Sequence, residues 1–174
     1  MAWKIDLSHS QVTFSVRHMM ISNAHGRFEK FDGEVNFNEA DPTQSSVDIT
    51  IDPASINTRD EKRDGHLRSP DFFDAEGYPE ITFQSTSIRP VDEDTFEIEG
   101  DLTIRAITRP VTLKAVLEGA ATDPQGNERV GLSVRGEINR SDHDMKFNVA
   151  LGGGNMLVSD RVKILLDISA VKVD

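Results

Sequence analysis

Residues 57–83 read NTRDEKRDGHLRSPDFFDAEGYPEITF, and they carry the only strong helix signals in a chain that otherwise has the alternating pattern of β-strands. Thr58 followed by Glu61 is a capping-box pattern, in which both side chains accept a free backbone N–H at a helix start. This spacing predicts a short helix that begins near Arg59.

A second start signal lies further along the same segment. Serine caps helices and proline at the first helical position loses no hydrogen bond, so Ser69-Pro70 predicts another short helical stretch. The apolar pair Phe72-Phe73 then needs cover, and Gly77 with Tyr78-Pro79 ends the segment. We interpret residues 57–83 as a helical insert that closes an all-β structure, predicted to be a β-barrel with an apolar interior.

The rest of the chain alternates apolar and polar residues with the period of two that is typical of strands with one buried face. Eight such segments follow one another, separated by the turn signals EADPTQ, RPVDEDT, ATDPQGN and the glycine run 152–154. The predicted inward-facing sets are Val12, Phe14, Val16; Gly33, Val35, Phe37; Val47, Ile49, Ile51; Ile81, Phe83; Phe96, Ile98, Leu102, Ile104; Val111, Leu113, Ala115, Leu117; Val130, Leu132, Val134, Ile138; and Val162, Ile164, Leu166, Ile168.

Short connections between these segments favour an eight-stranded antiparallel barrel, because parallel strands need helical crossovers. The insert falls between the third and fourth strands. Phe28 and Phe31 have opposite parity, which predicts a bulge or bend between them, and Gly100 faces inward and predicts a sharp bend. A two-sheet sandwich with a solid core is the alternative architecture.

Length and composition predict one domain over residues 1–174, with 37% hydrophobic residues and no apolar run long enough to span a membrane. The absence of cysteine excludes disulfides, thiolate metal sites and thiol catalysis. No secretory signal precedes the first strand in the chain as given, so we expect a cytoplasmic protein, with a periplasmic mature form as the alternative. The net charge of −11 argues against nucleic acid, and it also disfavours nonspecific attraction to an anionic bilayer.

Strand number alone does not decide whether the barrel is filled, because eight strands can enclose side chains or one small ligand. The inward-facing sets hold few large aromatic residues. That mixture leaves room for a slender apolar ligand, and an ordinary aliphatic core explains the composition equally well.

Five segments together resemble the YceI-like family of lipid-binding proteins, in order and over essentially the whole chain. They are WKIDLSHSQVTFSVRHMMISNAHGRFEKFDG, SVDITIDPASINTRDEKRDGHLRSPDFFDAEGYPEITFQS, IEGDLTIRAITRPVTL, INRSDHD and LVSDRVKILLDI. Two positions depart from the family pattern. Ala106 stands where glycine is usual, and His143-Asp144 replaces the usual aromatic-glycine pair.

The resemblance implies an extended lipocalin-like barrel that binds, carries or stores a polyisoprenoid in an internal channel, with no catalytic activity and no cofactor. A polyprenyl diphosphate, a prenol and a prenylquinone are all candidate ligands. The resemblance also makes a homodimer reasonable, and a transient membrane contact stays open. The alternative is a structural or stress-related interaction protein with a filled core.

Inward-facing residues of several strands are the predicted channel wall, and flexible or aromatic residues are predicted to close its mouth. The wall candidates are Phe14, Val16, Ile49, Phe83, Leu102, Leu113, Val134 and Ile164, and the mouth candidates are Met19, Met20, Phe72 and Phe73. Loop packing is the alternative for the two methionines, and a plug of the core is the alternative for the two phenylalanines.

An anionic head group would need convergent cations or a helix N-terminus. The candidates are Arg17, His18, Arg63, His66 and Arg68. In the alternative, His66 packs under the insert and Arg63 pairs with Asp60 or Asp64. A neutral quinone or prenol head fits the acidic chain at least as well.

An enzyme is the contrasting hypothesis, and little in the sequence favours it. The five histidines lack HExxH or any other close ligand spacing, so no metal site is expected. Ser8-His9-Ser10 lacks the glycine-flanked elbow of a hydrolase nucleophile.

Overall fold

The computed structural model describes residues 2–19, 21–38, 40–152, 155–156 and 158–173. Within them lie thirteen strands and one α-helix, α1 (Glu61–Arg68). The strands are β1 (Ala2–Ile5), β2 (Gln11–His18), β3 (Ser22–Phe28), β4 (Phe31–Asn36), β5 (Ser46–Ile51), β6 (Ile56–Asn57), β7 (Ile81–Pro90), β8 (Thr95–Ile104), β9 (Ile107–Thr122), β10 (Glu128–Asn139), β11 (Ala150–Gly152), β12 (Asn155–Met156) and β13 (Val158–Lys172). No helix in this described part is long and apolar enough to cross a membrane.

Eight strands form a closed antiparallel ring in the order β1, β4, β5, β7, β8, β9, β10 and β13, with β13 pairing back to β1. This confirms the predicted barrel and excludes the sandwich. Neighbours in the ring from β7 to β10 are also neighbours in the chain, as hairpin-length connections predict.

The long strand β13 changes its partner along its length. Near its C-terminal end it pairs with β1, where Ala170 lies opposite Ile5. Nearer its start it pairs with β2, where Ile164 lies opposite Phe14, and β2 continues into β3 and β6. The barrel wall therefore contains additional strands at the end where β13 begins.

Backbone hydrogen bonds join the β3–β4 turn to the segment between β5 and β6. The N–H of Glu29 donates to the carbonyl of Ser55 over 3.1 Å, and the N–H of Asp52 donates to the carbonyl of Lys30 over 2.9 Å. These bonds tie the additional strands to the ring. They also form the bend that the parity of Phe28 and Phe31 predicted.

The eight segments predicted from alternation are β2, β4, β5, β7, β8, β9, β10 and β13. The pattern did not predict β1, β3 or β6. Strand β1 is short and is cut off from β2 by a 3-10 turn over Leu7–His9, which the Asp6 carboxylate caps. Strand β3, SNAHGRF, has too few apolar residues to show an alternation.

The helical insert lies where predicted, between the strands numbered third and fourth from the sequence, but the predicted caps are wrong. Asp60 is the N-cap of α1, and its side chain accepts from the N–H of Arg63. Thr58 instead donates its N–H and its hydroxyl to the buried carboxylate of Asp64. Ser69 ends α1 rather than starting a second helix, since its hydroxyl donates to the carbonyl of His66.

Buried apolar side chains, among them Ile5, Ile88 and Ile98, pack together at the end of the barrel away from the insert. Glycines lie where a large neighbour needs space. A β-carbon at Gly100 would lie 2.4 Å from the ring of Phe83, and one at Gly136 would lie 2.4 Å from the Leu113 side chain. The inward position predicted for Gly100 thus has its reason in packing.

The β8–β9 turn holds Arg105 and Ala106, both with positive φ, 54° and 58°. A residue other than glycine is destabilised by about 1 kcal/mol when its φ is positive, in the left-handed region. We therefore expect Ala106→Gly to raise the free energy of unfolding by about 1 kcal/mol, measured by urea denaturation. Gly126, at φ 87°, is the matched control, because Gly126→Ala should lower stability. An unchanged or lowered stability of Ala106→Gly would contradict this explanation of the turn.

An ion-pair network joins β1, β10 and the β9–β10 turn at the packed end. Arg129 donates to Asp123 over 2.7 Å and to Asp6 over 2.8 Å. This guanidinium, together with the N–H of Asn127, lowers the pKa of Asp123 to about 2.

The Asp123 network predicts an acid-sensitive contribution to stability. Because the folded-state pKa is below the unfolded value, the contribution is present above about pH 4 and is lost as the pH falls towards about 2. We expect the unfolding free energy of Asp123→Asn to fall less steeply than that of the wild type over this interval in urea titrations. Parallel curves for the two proteins would contradict the assignment.

Candidate functional site

A cavity of about 400 Å³ occupies the barrel at the end that carries the insert. Its size is within the range of small-molecule sites, and its wall is almost entirely apolar. The lining residues are Val12, Thr13, Phe14, Val16, His18, Ala24, His25, Phe28, Ile51, Thr58, Arg63, His66, Leu67, Phe72, Phe73, Ile81, Leu102, Ile104, Ile138, Arg140, Met145, Phe147, Val158, Val162 and Ile164.

The β2–β3 hairpin forms one wall of this space. Val16 lies opposite Ala24, and Phe14 lies opposite Gly26, so small residues of β3 face the interior beside larger residues of β2. A β-carbon at Gly26 would lie 2.4 Å from the Phe14 ring, so this glycine makes room for the ring. Ala24 lines the cavity and adds only a methyl group to its wall.

Three phenylalanine rings on the cavity wall contact one another. The Phe28 ring lies 5.6 Å from the rings of both Phe14 and Phe73, measured between centroids. Tilted and edge-to-face contacts of this kind are favourable arrangements of aromatic pairs. They fix the orientation of β2, β3 and the insert around the cavity.

The insert covers the cavity through a second aromatic cluster. His66 lies 5.1 Å from Phe72 and 4.7 Å from Phe147, between ring centroids. Arg105 holds this cover in place, because its guanidinium donates to the backbone carbonyls of Pro70 and Phe72, each over 2.7 Å. The β8–β9 turn thus anchors the insert to the barrel rim.

Arg140 organises the other side of the rim. Its side chain is 5% exposed and donates to four backbone carbonyls. These belong to Met145, Phe147, Val158 and Ser159, at 2.8 to 3.2 Å. Burial lowers the pKa of the Arg140 guanidinium, against the opposing charge of Asp160. The side chain connects the segment after β10 to the start of β13.

The buried side chain of His143 holds the same segment against the start of β9. It is 1% exposed, and its Nδ1 lies 3.0 Å from the carbonyl of Ile107. Burial lowers the pKa of this imidazole, which favours the neutral ring. Asp144 follows with φ 62°, the left-handed conformation expected of glycine and tolerated by aspartate. The local turn therefore forms with His143-Asp144 in place of the usual pair.

Polar groups at the mouth are held by partners within the insert. Arg63 donates to the hydroxyl and the carbonyl of Thr58, over 2.8 and 2.7 Å, rather than to Asp60 or Asp64. His66 Nε2 lies 2.8 Å from a carboxylate oxygen of Asp71. The mouth thus carries cationic and imidazole groups above an apolar interior.

The structure brings together nine of the candidate residues on the cavity wall. Of the predicted channel and mouth residues, Phe14, Val16, Phe72, Phe73, Leu102 and Ile164 line it. Of the predicted head-group residues, His18, Arg63 and His66 line it. Their role in binding stays a prediction.

The other candidates lie elsewhere. Phe83, Leu113 and Val134 are buried in the packed core, and Ile49 packs against it. Met19 is exposed beyond the end of β2, Arg17 lines a separate groove on the outer face, and Arg68 lines another groove beside the insert. Met20 falls outside the described residues.

Sequence reasoning missed several wall residues for different reasons. Phe28 was noted only for its parity, and Ala24 lies in a strand with no alternation. Arg140 belongs to the quoted INRSD segment, but a single arginine there gave no sign of four buried carbonyl partners. Met145 and Phe147 lie in an irregular segment that the strand pattern does not place.

The histidines of the protein do not gather into a metal site. Across the described ranges, no cluster of three or more His, Asp or Glu side chains could hold a metal ion. His9 is exposed and its Nδ1 lies 2.8 Å from Asp6, away from the cavity.

Comparison with known proteins agrees with this geometry. A profile described as the YceI-like domain matches residues 3–170. The chain belongs to the YceI-like family. Protein YceI of Shigella flexneri is 37% identical over 172 residues, which cover 98% of this chain and 86% of that protein.

Two solved structures share the barrel of this YceI-like protein. Burkholderia cenocepacia BcnA is 27% identical, with a TM-score of 0.83 over 95% of this chain and 98% of that chain. A polyisoprenoid binding domain from Saccharophagus degradans has a TM-score of 0.74 at 15% identity, over 98% of each chain. At 15% identity, the match to the Saccharophagus degradans domain shows a likeness of fold alone.

Proposed function

We propose that this protein binds one long-chain isoprenoid lipid in the cavity and carries or stores it. The observation that carries the proposal is an apolar cavity of about 400 Å³ inside a YceI-like barrel. The name of the Saccharophagus degradans domain, a polyisoprenoid binding domain of the same fold, supports this ligand class. The candidate ligands are a polyprenyl diphosphate, a prenol and a prenylquinone.

Exchange with a bilayer explains how such a ligand could be both held and released. Burying one isoprene unit from water is worth about 4 kcal/mol, at about 0.8 kcal/mol for each of its roughly five carbons. Several units would exceed any real noncovalent affinity. The lipid comes from a bilayer rather than from water, however, so its transfer into an equally apolar cavity is nearly neutral. A carrier or store fits this balance better than an irreversible trap.

A polar head group could lie beside the cationic side chain of Arg63. We propose that His18, Arg63 and His66, which all line the cavity, contact the head of the bound isoprenoid. A diphosphate would accept from Arg63, and a quinone or prenol oxygen could use the same donors. We propose no catalytic step, since binding accounts for the arrangement. The cytoplasmic location and the homodimer inferred from the sequence stay predictions.

Organic extraction of the purified native protein followed by mass spectrometry tests the proposal. We expect a prenyl lipid in near-equal amount to the protein, and its spectrum identifies both tail and head. Extracts that contain only the phospholipids of the host membrane, or no lipid, would contradict it. The second result would favour a structural protein with an unoccupied interior.

A further inference from the structure

The tip of the β2–β3 hairpin carries apolar side chains that the barrel does not cover. Met19 is 44% exposed and Ile21 is 78% exposed. Met19 has a φ of 54°, and the N–H of Ile21 donates to the carbonyl of His18. A tight turn therefore presents these side chains outward at the end of the strand that lines the cavity.

A third exposed apolar side chain lies on the neighbouring rim segment. Val149 is 46% exposed and follows Asn148, whose side-chain amide bonds both the N–H and the carbonyl of Val158. Val158 in turn lies opposite His18 in the β13–β2 pair. We refer to Met19, Ile21 and Val149 as the apolar tip. It adjoins the cavity mouth, because His18 and Val158 both line the cavity.

The part of the hairpin nearest the apolar tip has basic residues and no acidic ones. Residues 17–25 contain Arg17, His18 and His25, in a protein of net charge −11. Further along, Arg27 pairs with Glu29 over 2.8 Å, and Arg161 of β13 lies 3.6 Å from Glu137. Arg161 and Lys163 of β13 share an outer groove with Arg17, together with Asp160. Basic residues beside exposed apolar side chains are the pattern of surfaces that bind anionic membranes.

Another exposed apolar residue shows that exposure alone does not define the tip. Val91, in the β7–β8 turn at the packed end, is 55% exposed. It is followed directly by Asp92, Glu93 and Asp94. An anionic surface would repel this turn, whereas it would attract the β2–β3 hairpin. Of these two exposed apolar turns, the β2–β3 hairpin is therefore the one whose charge suits an anionic surface.

We propose that the apolar tip docks on an anionic phospholipid bilayer and places the cavity mouth against the membrane surface. Apolar side chains enter the boundary between head groups and acyl chains while the basic residues meet lipid phosphates. This inference rests on the proposed function, because an isoprenoid passing between bilayer and cavity would then avoid water. Docking itself requires no isoprenoid.

Vesicle sedimentation tests the docking directly. We expect the full-length protein to bind vesicles of phosphatidylcholine with phosphatidylglycerol more tightly than vesicles of phosphatidylcholine alone, and to lose this preference in high salt. Met19→Ser with Ile21→Ser should weaken binding to the anionic vesicles at least about tenfold, since two apolar side chains no longer leave water. Val91→Ser is the matched control and should bind as the wild type does.

Several outcomes would overturn the docking proposal. They are equal binding to the two vesicle types, an unchanged affinity of the double variant, and an equal loss in Val91→Ser. A dimer in solution that dissociates in the double variant, without vesicle binding by the wild type, would assign the tip to a second copy of the chain. Vesicles free of isoprenoid keep this test separate from the extraction experiment, so either proposal can fail alone.

Discussion

Ala24→Trp is expected to remove most of the isoprenoid that copurifies with the protein and to weaken its binding by several hundredfold. Ala24 faces the cavity from β3, opposite Val16. An indole ring there would occupy the space of part of the ligand tail. One isoprene unit left in water costs about 4 kcal/mol, which corresponds to a loss on the order of several hundredfold in affinity.

The control for this variant is the adjacent residue. Asn23 lies on the outer face of the same strand and is exposed. Asn23→Trp adds the same side chain outside the barrel and should retain the lipid. Both variants should have circular dichroism spectra of the wild-type form. Lipid content measured by extraction would contradict the assigned cavity if Ala24→Trp kept a wild-type load.

Arg140→Met is expected to lower the free energy of unfolding by about 3 kcal/mol. The guanidinium donates to four backbone carbonyls, and methionine can replace none of these bonds. Leaving buried acceptors without partners costs about 1 to 3 kcal/mol each, and water can satisfy part of the set. Arg140→Lys should lie between the variant and the wild type, because an ammonium keeps the charge without the planar geometry.

Urea denaturation at neutral pH measures this loss, and a surface arginine provides the control. Arg89 is mostly exposed and pairs with Glu97 over 2.9 Å. Surface pairs of this kind contribute at most about 1 kcal/mol, so Arg89→Met should have a small effect. Equal losses in Arg89→Met and Arg140→Met would mean that the carbonyl partners of Arg140 do not stabilise the rim.

The barrel could be predicted from the sequence because alternation reports directly on which face of a strand is buried. Strands such as β8 and β10 have long alternating sets, and their pairing follows chain order. The helical insert could be located by its glycine and proline signals. Its caps could not, because Thr58 and Asp60 are both suitable N-cap residues, and the buried bonds from Thr58 to Asp64, which only the folded structure shows, leave Asp60 as the cap.

The position of the cavity could not be predicted, since it depends on long-range pairing. Inward-facing residues of different strands give the same sequence pattern, yet Phe83 and Val134 lie in packed core while Phe14 and Ile164 line the cavity. What separates them is the exchange of partners by β13, which places β2 and β3 in the wall at one end. The composition of the chain fits a filled barrel and a hollow barrel equally well. The structure has a buried core and a cavity in the same barrel.

The exchange of partners by β13 also separates ligand fit from fold integrity. The eight-stranded ring closes through β1, whereas the part of the cavity wall formed by β2 and β3 comes from one contiguous stretch of the chain. Replacing this hairpin with that of a relative would alter the volume and the entrance of the cavity, while the β1–β13 pairing that closes the ring would stay unchanged. Ligand preference in such barrels can therefore diverge through one short, modular stretch while the rest of the scaffold is retained.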